Sequence, residues 1–178
     1  MNRKLNTDEL NRLDKAAFAD APKNDMVLVL DNVRSALNVG SIFRSADAFR
    51  VQQIVCCGFT PAPPHRDILK TALGATETVV WSCAEDVCIA LQTLKNKGYQ
   101  CVAIEQTSES IALHQYMPEL QKPIALVLGN EVEGVQQRAI DLCESSLEIA
   151  QHGTKHSLNV AVCAGIVLHH LYFKKNGL

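Results

Sequence analysis

Residues 124–135 read IALVLGNEVEGV: five apolar residues, a Gly-Asn-Glu-Val-Glu-Gly turn, then valine. A run with no polar side chain suits a strand buried on both faces, the habit of parallel sheets. Two glycines around carboxylates directly after it imply a tight turn whose backbone faces a ligand, and 135–143 then continues with helical spacing. Glu131 and Glu133 either serve that turn's chemistry or merely favour the positive end of the following helix. The turn is not a phosphate loop, because Gly-Lys-Ser/Thr is absent and carboxylates repel phosphate; nor does the chain contain G-x-G-x-x-G.

Similar apolar runs recur on either side: 26–30 (MVLVL), 53–57 (QIVCC), 77–81 (ETVVW), 101–104 (CVAI) and 147–150 (LEIA). Helical patterns lie between them at 39–49, 67–73, 83–97, 135–143 and 157–173. Strand and helix alternating in this way predict an α/β fold, a mostly parallel sheet flanked by helices. Ser82 with Glu85 predicts a capping box for the 83–97 helix, and Gly98 its stop. Asn6 with Glu9, and Leu10, Leu13 and Ala17 on one side, predict an amphipathic helix over 6–18. The chain therefore divides into an N-terminal helical extension, 1–24, and a main domain, 25–178.

Of the 178 residues 47% are hydrophobic and 20% charged, with a net charge of -2, so any contact with nucleic acid must be a local basic face and not bulk charge. The first ten residues hold no apolar leader and the longest apolar run, 160–168, is too short to span a bilayer, which predicts a cytoplasmic protein without membrane contact. Seven cysteines are odd in number and never form C-x-x-C, so they are expected as reduced core residues. His152 and His156 lack a ligand pattern around them, and no metal is expected. Three prolines in 58–66 (GFTPAPPHR) predict a stiff surface loop presenting His65 and Arg66.

Two further segments carry chemistry. In 32–49 (NVRSALNVGSIFRSADAF) Asn38 can cap a helix whose buried arc holds Ile42, Phe43, Ala46 and Phe49, with Arg44 nearly opposite. Arg44 either pairs with Asp47 in solvent or points at a ligand. In 149–166 (IAQHGTKHSLNVAVCAGI) Ser157 or Asn159 can cap a helix, and beyond them Val160, Ala161, Val162, Cys163, Ala164, Ile166, Val167 and Leu168 cover every side. One sheet face cannot bury all of these, which predicts a subunit interface and hence a homodimer.

The segments N-V-G-S-I-F-R (38–44), L-G-N-E-V-E-G (128–134) and S-L-N-V-A-V (157–162), in this order and spacing, resemble the three signature motifs of the SpoU/TrmH family of SPOUT RNA methyltransferases. The resemblance implies a parallel sheet whose C-terminal segment threads a deep trefoil knot, obligate pairing of two subunits, and methyl transfer from S-adenosylmethionine to a ribose 2′-hydroxyl. It places Thr107, Gly129, Ile149 and Leu158 at the methyl donor and makes Asn38, Arg44, Glu131, Ser157 and Asn159 the catalytic positions. The family usually carries Gly at Arg50, Pro-Met near Ala150 and Gln151, and an acid near His156. Arg50, Lys155 and His156 therefore add positive charge, either for RNA contact together with His65 and Arg66 or as ordinary surface variation.

The family's motif arginine is proposed as the base. Deprotonating an arginine at pH 7 costs roughly 7 to 9 kcal/mol, so ordering a substrate phosphate and stabilising alkoxide charge is the less demanding role for Arg44. The compact chain suggests tRNA over rRNA as the substrate. A non-catalytic RNA-binding module and a nucleotide-dependent oxidoreductase are the alternatives. The intact second and third motifs speak against the first, and the missing glycine fingerprint against the second.

Overall fold

The computed structural model describes residues 2–177. In chain order the elements are α1 (Lys15–Asp20), β1 (Asn24–Asp31), α2 (Ala36–Ala48), β2 (Val51–Cys57), α3 (Arg66–Ala72), β3 (Trp81–Ala84), α4 (Val87–Asn96), β4 (Gln100–Ile104), β5 (Ile111–Ala112), β6 (Ile124–Leu128), α5 (Gln137–Ile140), β7 (Ser145–Glu148) and α6 (Val160–Lys175). All pairings are parallel, in the order β3-β2-β1-β6-β4-β7-β5.

Alternate residues of β1 feed two cores. Met26, Leu28 and Leu30 pack with Val39, Ile42 and Phe43 of α2, Ile68 of α3, and Ala164, Val167, Leu168 and Leu171 of α6. Val27 and Val29 pack on the other face with Val87, Leu91 and Leu94 of α4 and Ala139 of α5. Burial on both faces is why these strands read as unbroken apolar runs.

Several expectations shift. The amphipathic helix over 6–18 is instead a 3-10 turn, Thr7–Leu10, and then α1, with Asn11 between them at φ 48°. Glu9 accepts from the Asn6 backbone as expected, yet Leu10 and Leu13 are exposed and only Phe18 is buried. Among the described residues nothing covers that apolar side, so packing does not stabilise a long helix there.

The strand expected at 77–81 begins four residues later in effect, since Ala75–Glu77 forms a 3-10 turn after Gly74 at φ 93°, and Trp81 is the residue that pairs with Ile54. Ser82 therefore lies within β3, where its hydroxyl accepts from Gln53, and the cap of α4 is Asp86, which accepts from the Cys88 N–H at 2.8 Å. Gly98, at φ 86°, ends that helix as expected.

The helix over 135–143 shrinks to Gln137–Ile140: Gln136 is extended at ψ 137°, and the N–H groups of Val135 and Gln136 that precede the helix are held by Glu105 and Asp31, both at 2.9 Å. Asn38 is not a cap but an internal residue of α2, capped by Ser35. The last helix starts at Val160, capped by Asn159. Of its apolar residues Val160, Ala164, Val167 and Leu168 are buried, while Val162 and Ile166 are exposed, 53% and 39%.

Candidate active site

The carboxyl ends of β1, β4, β6 and β7 meet around a small set of polar side chains. Asp31, fully buried at the end of β1, accepts from the backbone N–H of Gln136 at 2.9 Å and from the side chains of Gln136 and Asn32. Asn32, in the left-handed region at φ 54°, accepts from the Phe59 N–H at 3.1 Å, and its carbonyl accepts from Asn130 Nδ2 at 2.8 Å. Three loops are thereby tied at one point.

The 129–134 turn is closed by two backbone bonds between Asn130 and Gly134 and by Asn130 Oδ1, which accepts from the N–H of Val132 at 2.8 Å. A Cβ on Gly129 would lie 2.2 Å from the Gly134 carbonyl carbon, and Gly134 stands at φ 71° against Glu105, so both glycines are required. This turn aims Glu131 back at the start of α2. Its carboxylate accepts from the N–H groups of Arg34 (2.8 Å) and Ser35 (3.1 Å) and from Asn38 Nδ2 (2.8 Å).

Asn38 Oδ1 accepts in turn from Asn159 Nδ2 at 3.1 Å, and Asn159 Oδ1 accepts from the N–H groups of Ala161 and Val162. Partial burial by itself would raise the Glu131 pKa, but the bonds from Arg34, Asn38, its own N–H and Ser35 outweigh it and hold the carboxyl below its ordinary range. Glu131 is thus an ionised acceptor that remains exposed.

Beside this network lies a cavity of about 450 Å³, walled by the loops after β4, β6 and β7; Ile104, Leu128, Leu147 and Leu158 supply apolar surface, and Glu105, Glu131 and Glu133 supply carboxylates. The size suits a nucleoside-sized ligand, and the carboxylates favour a cation over a phosphate. Gly129, Ile149, Leu158, Ser157, Asn159, Glu131 and His156 all line it.

Thr107 does not line the cavity. Its carbonyl is engaged with the N–H and hydroxyl of Ser110, and Glu105 and Gln106 occupy the wall instead, Gln106 Nε2 donating to the His156 carbonyl at 3.1 Å.

Arg44 is exposed on α2, outside this cavity, in a groove between α2 and α3. Its side chain makes no ion pair or hydrogen bond among the described residues; the expected partner Asp47 instead accepts from the Thr78 hydroxyl at 2.6 Å. His65 caps α3, its Nδ1 accepting from Asp67, with exposed Arg66 beside it. Lys155 is exposed in the return segment before α6.

Arg50 lies at the opposite end of the sheet: it precedes β2, and its carbonyl accepts from the Asn24 N–H at the start of β1. It therefore lies away from the cavity, whose lining does not include it.

Asp31, Asn32, Glu105 and Asn130, which hold the loops, lie outside the site residues expected from the sequence. Their signal is that polar residues directly follow β1, β4 and β6, at the end of the sheet where ligands bind. Among the described residues no group of three or more His, Cys, Asp or Glu is placed to hold a metal, and no helix is long and apolar enough to cross a membrane.

The model of the SpoU rRNA methylase family matches residues 25–169, and the chain belongs to that family. It is 30% identical to the 23S rRNA (guanosine-2'-O-)-methyltransferase RlmB of Neisseria meningitidis, over 90% of this chain and 72% of that protein.

In structure it is similar to the TrmH/SpoU tRNA modifying enzyme of A. aeolicus (TM-score 0.80, 25% identity, covering 90% of this chain and 80% of that one). It is also similar to the AdoMet-bound rRNA methyltransferase of Sinorhizobium meliloti (TM-score 0.77, 25% identity, 90% and 59%). The chain spans between 56% and 72% of the length of the relatives named as 23S rRNA (guanosine-2'-O-)-methyltransferases.

Proposed function

We propose that the protein transfers a methyl group from S-adenosylmethionine to a ribose 2′-hydroxyl of structured RNA, with ribosomal RNA the first substrate to test. The observation that carries this is the Glu131–Asn38–Asn159 network on the rim of a cavity of about 450 Å³ bounded by carboxylates. The names of the relatives favour rRNA and do not support the preference for tRNA expected from the compact chain.

The cavity fits the donor: it offers carboxylates to a sulfonium and apolar walls and loop backbone to an adenosine, with no cradle for a phosphate. Gly129, Ile149 and Leu158 would hold the donor, which supplies an electrophilic methyl group when bound. Transfer to oxygen is an in-line displacement, so this chain's residues act mainly by position. Glu131, Asn38, Ser157 and Asn159 orient the ribose and accept its hydrogen bonds, while Arg44, which lies outside the cavity and away from the alkoxide, orders a phosphate of the same strand.

The reading extends to assembly. The exposed Val162 and Ile166 lie beside Ile149 and Ala150 in a second, largely apolar hollow, and Ile149 also walls the donor cavity. This supports a homodimer whose seam adjoins the donor site. Residues 149–159 return from β7, outside β4, to Asn38 beside β1, which supports a knotted C-terminal segment. Residues 1–24 form an extension of this domain, and the enzyme works in the cytoplasm.

The test is transfer of labelled methyl to total rRNA and to total tRNA, with the modified nucleotide mapped and donor binding measured by calorimetry. Methylation at a 2′-oxygen is the expected result. Donor binding without transfer to either RNA pool, or no donor binding, overturns the reading.

A further inference from the structure

The groove that contains Arg44 shares no lining residue with the donor cavity. It measures about 550 Å³ and is walled by Ser41, Arg44 and Ser45 of α2 and by Lys70 and Thr71 of α3. At about 100° per residue Asn38, Ser41 and Ser45 fall within roughly 60° of one another, with Arg44 about 60° further round. The groove therefore continues along α2 the strip that begins at Asn38, and Arg44 stands about 9 Å beyond that residue along the helix axis.

Its shape is held by close backbone contact. A Cβ on Gly40 would lie 2.4 Å from the Ile68 carbonyl oxygen and 2.1 Å from Thr71 Oγ1. Thr71 also donates to the Leu37 carbonyl at 3.0 Å, which clamps the turn bearing Lys70 onto α2. The hydroxyls of Ser41 and Ser45 donate to carbonyls of their own helix. That leaves the two side-chain cations as the groups able to hold a ligand. Neither Arg44 nor Lys70 has an ion-pair partner among the described residues, and no carboxylate lines the groove.

Two exposed cations on clamped helices, with no acid between them, make an anion site on a chain of net charge -2. We propose that this groove binds a phosphate of the RNA strand carrying the target ribose, with Lys70 as a substrate-binding residue alongside Arg44. Arg44 presents a planar fork to the phosphate oxygens and Lys70 a point charge. The groove lies along α2 from Asn38, so the bound phosphate sets which ribose reaches Glu131. This proposal rests on the RNA methyltransferase reading.

The test uses the full chain with Lys70→Ala and Lys70→Arg. End-labelled fragments of total rRNA are bound over a range of KCl concentrations, donor affinity is measured by calorimetry, and folding is checked by thermal melting. Lys70→Ala is expected to weaken RNA binding and to flatten the slope of log affinity against log salt by roughly 0.7 to 0.9, the loss of one phosphate contact. Lys70→Arg is expected to restore the slope, with donor affinity and melting temperature unchanged in both variants.

An unchanged salt slope in Lys70→Ala overturns the proposal, whether or not affinity falls, as does a loss that tracks melting temperature. If the slope depends on Lys70 while the wild type methylates no RNA, the groove stands and the enzymatic reading fails. Methylation with a slope indifferent to Lys70 is the reverse outcome.

Discussion

Asn38 and Asn159 are joined side chain to side chain across 121 positions of sequence, Asn159 Nδ2 donating to Asn38 Oδ1 at 3.1 Å. The polarity of this bond is dictated from one end. Asn159 Oδ1 must accept from the first N–H groups of α6, so its nitrogen faces Asn38; Asn38 then turns its own nitrogen to Glu131, which has to be an acceptor. A helix cap thus determines the direction of every bond as far as the carboxylate.

Asn38→Asp reverses that logic by setting a carboxylate against Glu131. Methyl transfer is expected to fall at least a hundredfold with donor affinity within a few fold of wild type, as measured by single-turnover transfer and calorimetry. Activity within tenfold of wild type would show that the bond chain is dispensable.

Glu131 is held below its ordinary pKa of 4.5 in the folded protein, where bonds to Arg34, Asn38, its own N–H and Ser35 outweigh the opposing effect of burial. Its contribution to stability is therefore complete above about pH 4.5 and is lost as pH falls through the folded value. Glu131→Gln is expected to cost about 0.5 to 1 kcal/mol at pH 7, because solvent screens this exposed carboxylate, and to lessen the acid destabilisation, so urea midpoints of the two proteins should converge toward acid. Parallel curves would refute this.

Gly40→Ala forces a methyl group against the Ile68 carbonyl, which no side-chain rotation relieves. The overpacking costs about 1 to 3 kcal/mol, more than the gain of up to ~1 kcal/mol from removing a helical glycine. A lower melting temperature and weaker RNA binding are expected together.

Ile166→Glu and Val167→Glu separate seam from core. Ile166 is exposed in the single chain, whereas Val167, part of the apolar set that pointed to an interface, is buried in the chain's own core. Sedimentation should show a wild-type dimer, a folded Ile166→Glu monomer and an unfolded Val167→Glu chain. A monomeric wild type would exclude the seam.

Burial raises the thiols of Cys56, Cys57 and Cys143 to about 12 and those of Cys101 and Cys163 to about 11, with smaller contributions from neighbouring charges. Cys83 is exposed. Iodoacetamide at pH 8 should modify Cys83 first in the native protein and all seven cysteines only after denaturation, as read by mass spectrometry.

Strands buried on both faces were legible because β1 and β6 carry no polar residue between Met26 and Leu30 or between Ile124 and Leu128. Gly129, Glu131 and Asn159 were legible because the motifs place them at strand and helix ends. What escaped depends on distant partners. The start of β3 is set by pairing with Ile54, the extended backbone before α5 is held by carboxylates from Asp31 and Glu105, and Thr107 turns its carbonyl to Ser110 and away from the cavity. The position of Arg50 at the far end of the sheet follows from topology, which a local pattern does not encode.

The central place of β6 between β1 and β4 has a consequence for synthesis of the chain. Met26 finds its partner only when Ile124 exists. Until then an emerging β1-β2-β3 sheet has a strand, β1, that is apolar from Met26 to Leu30 and has an open hydrogen-bonding edge, the feature that invites pairing between chains. Folding that waits on so distant a contact is slow. The stretch of translation before residue 124 is therefore when this protein is most prone to aggregate, and when a chaperone that shields strand edges would raise its yield most.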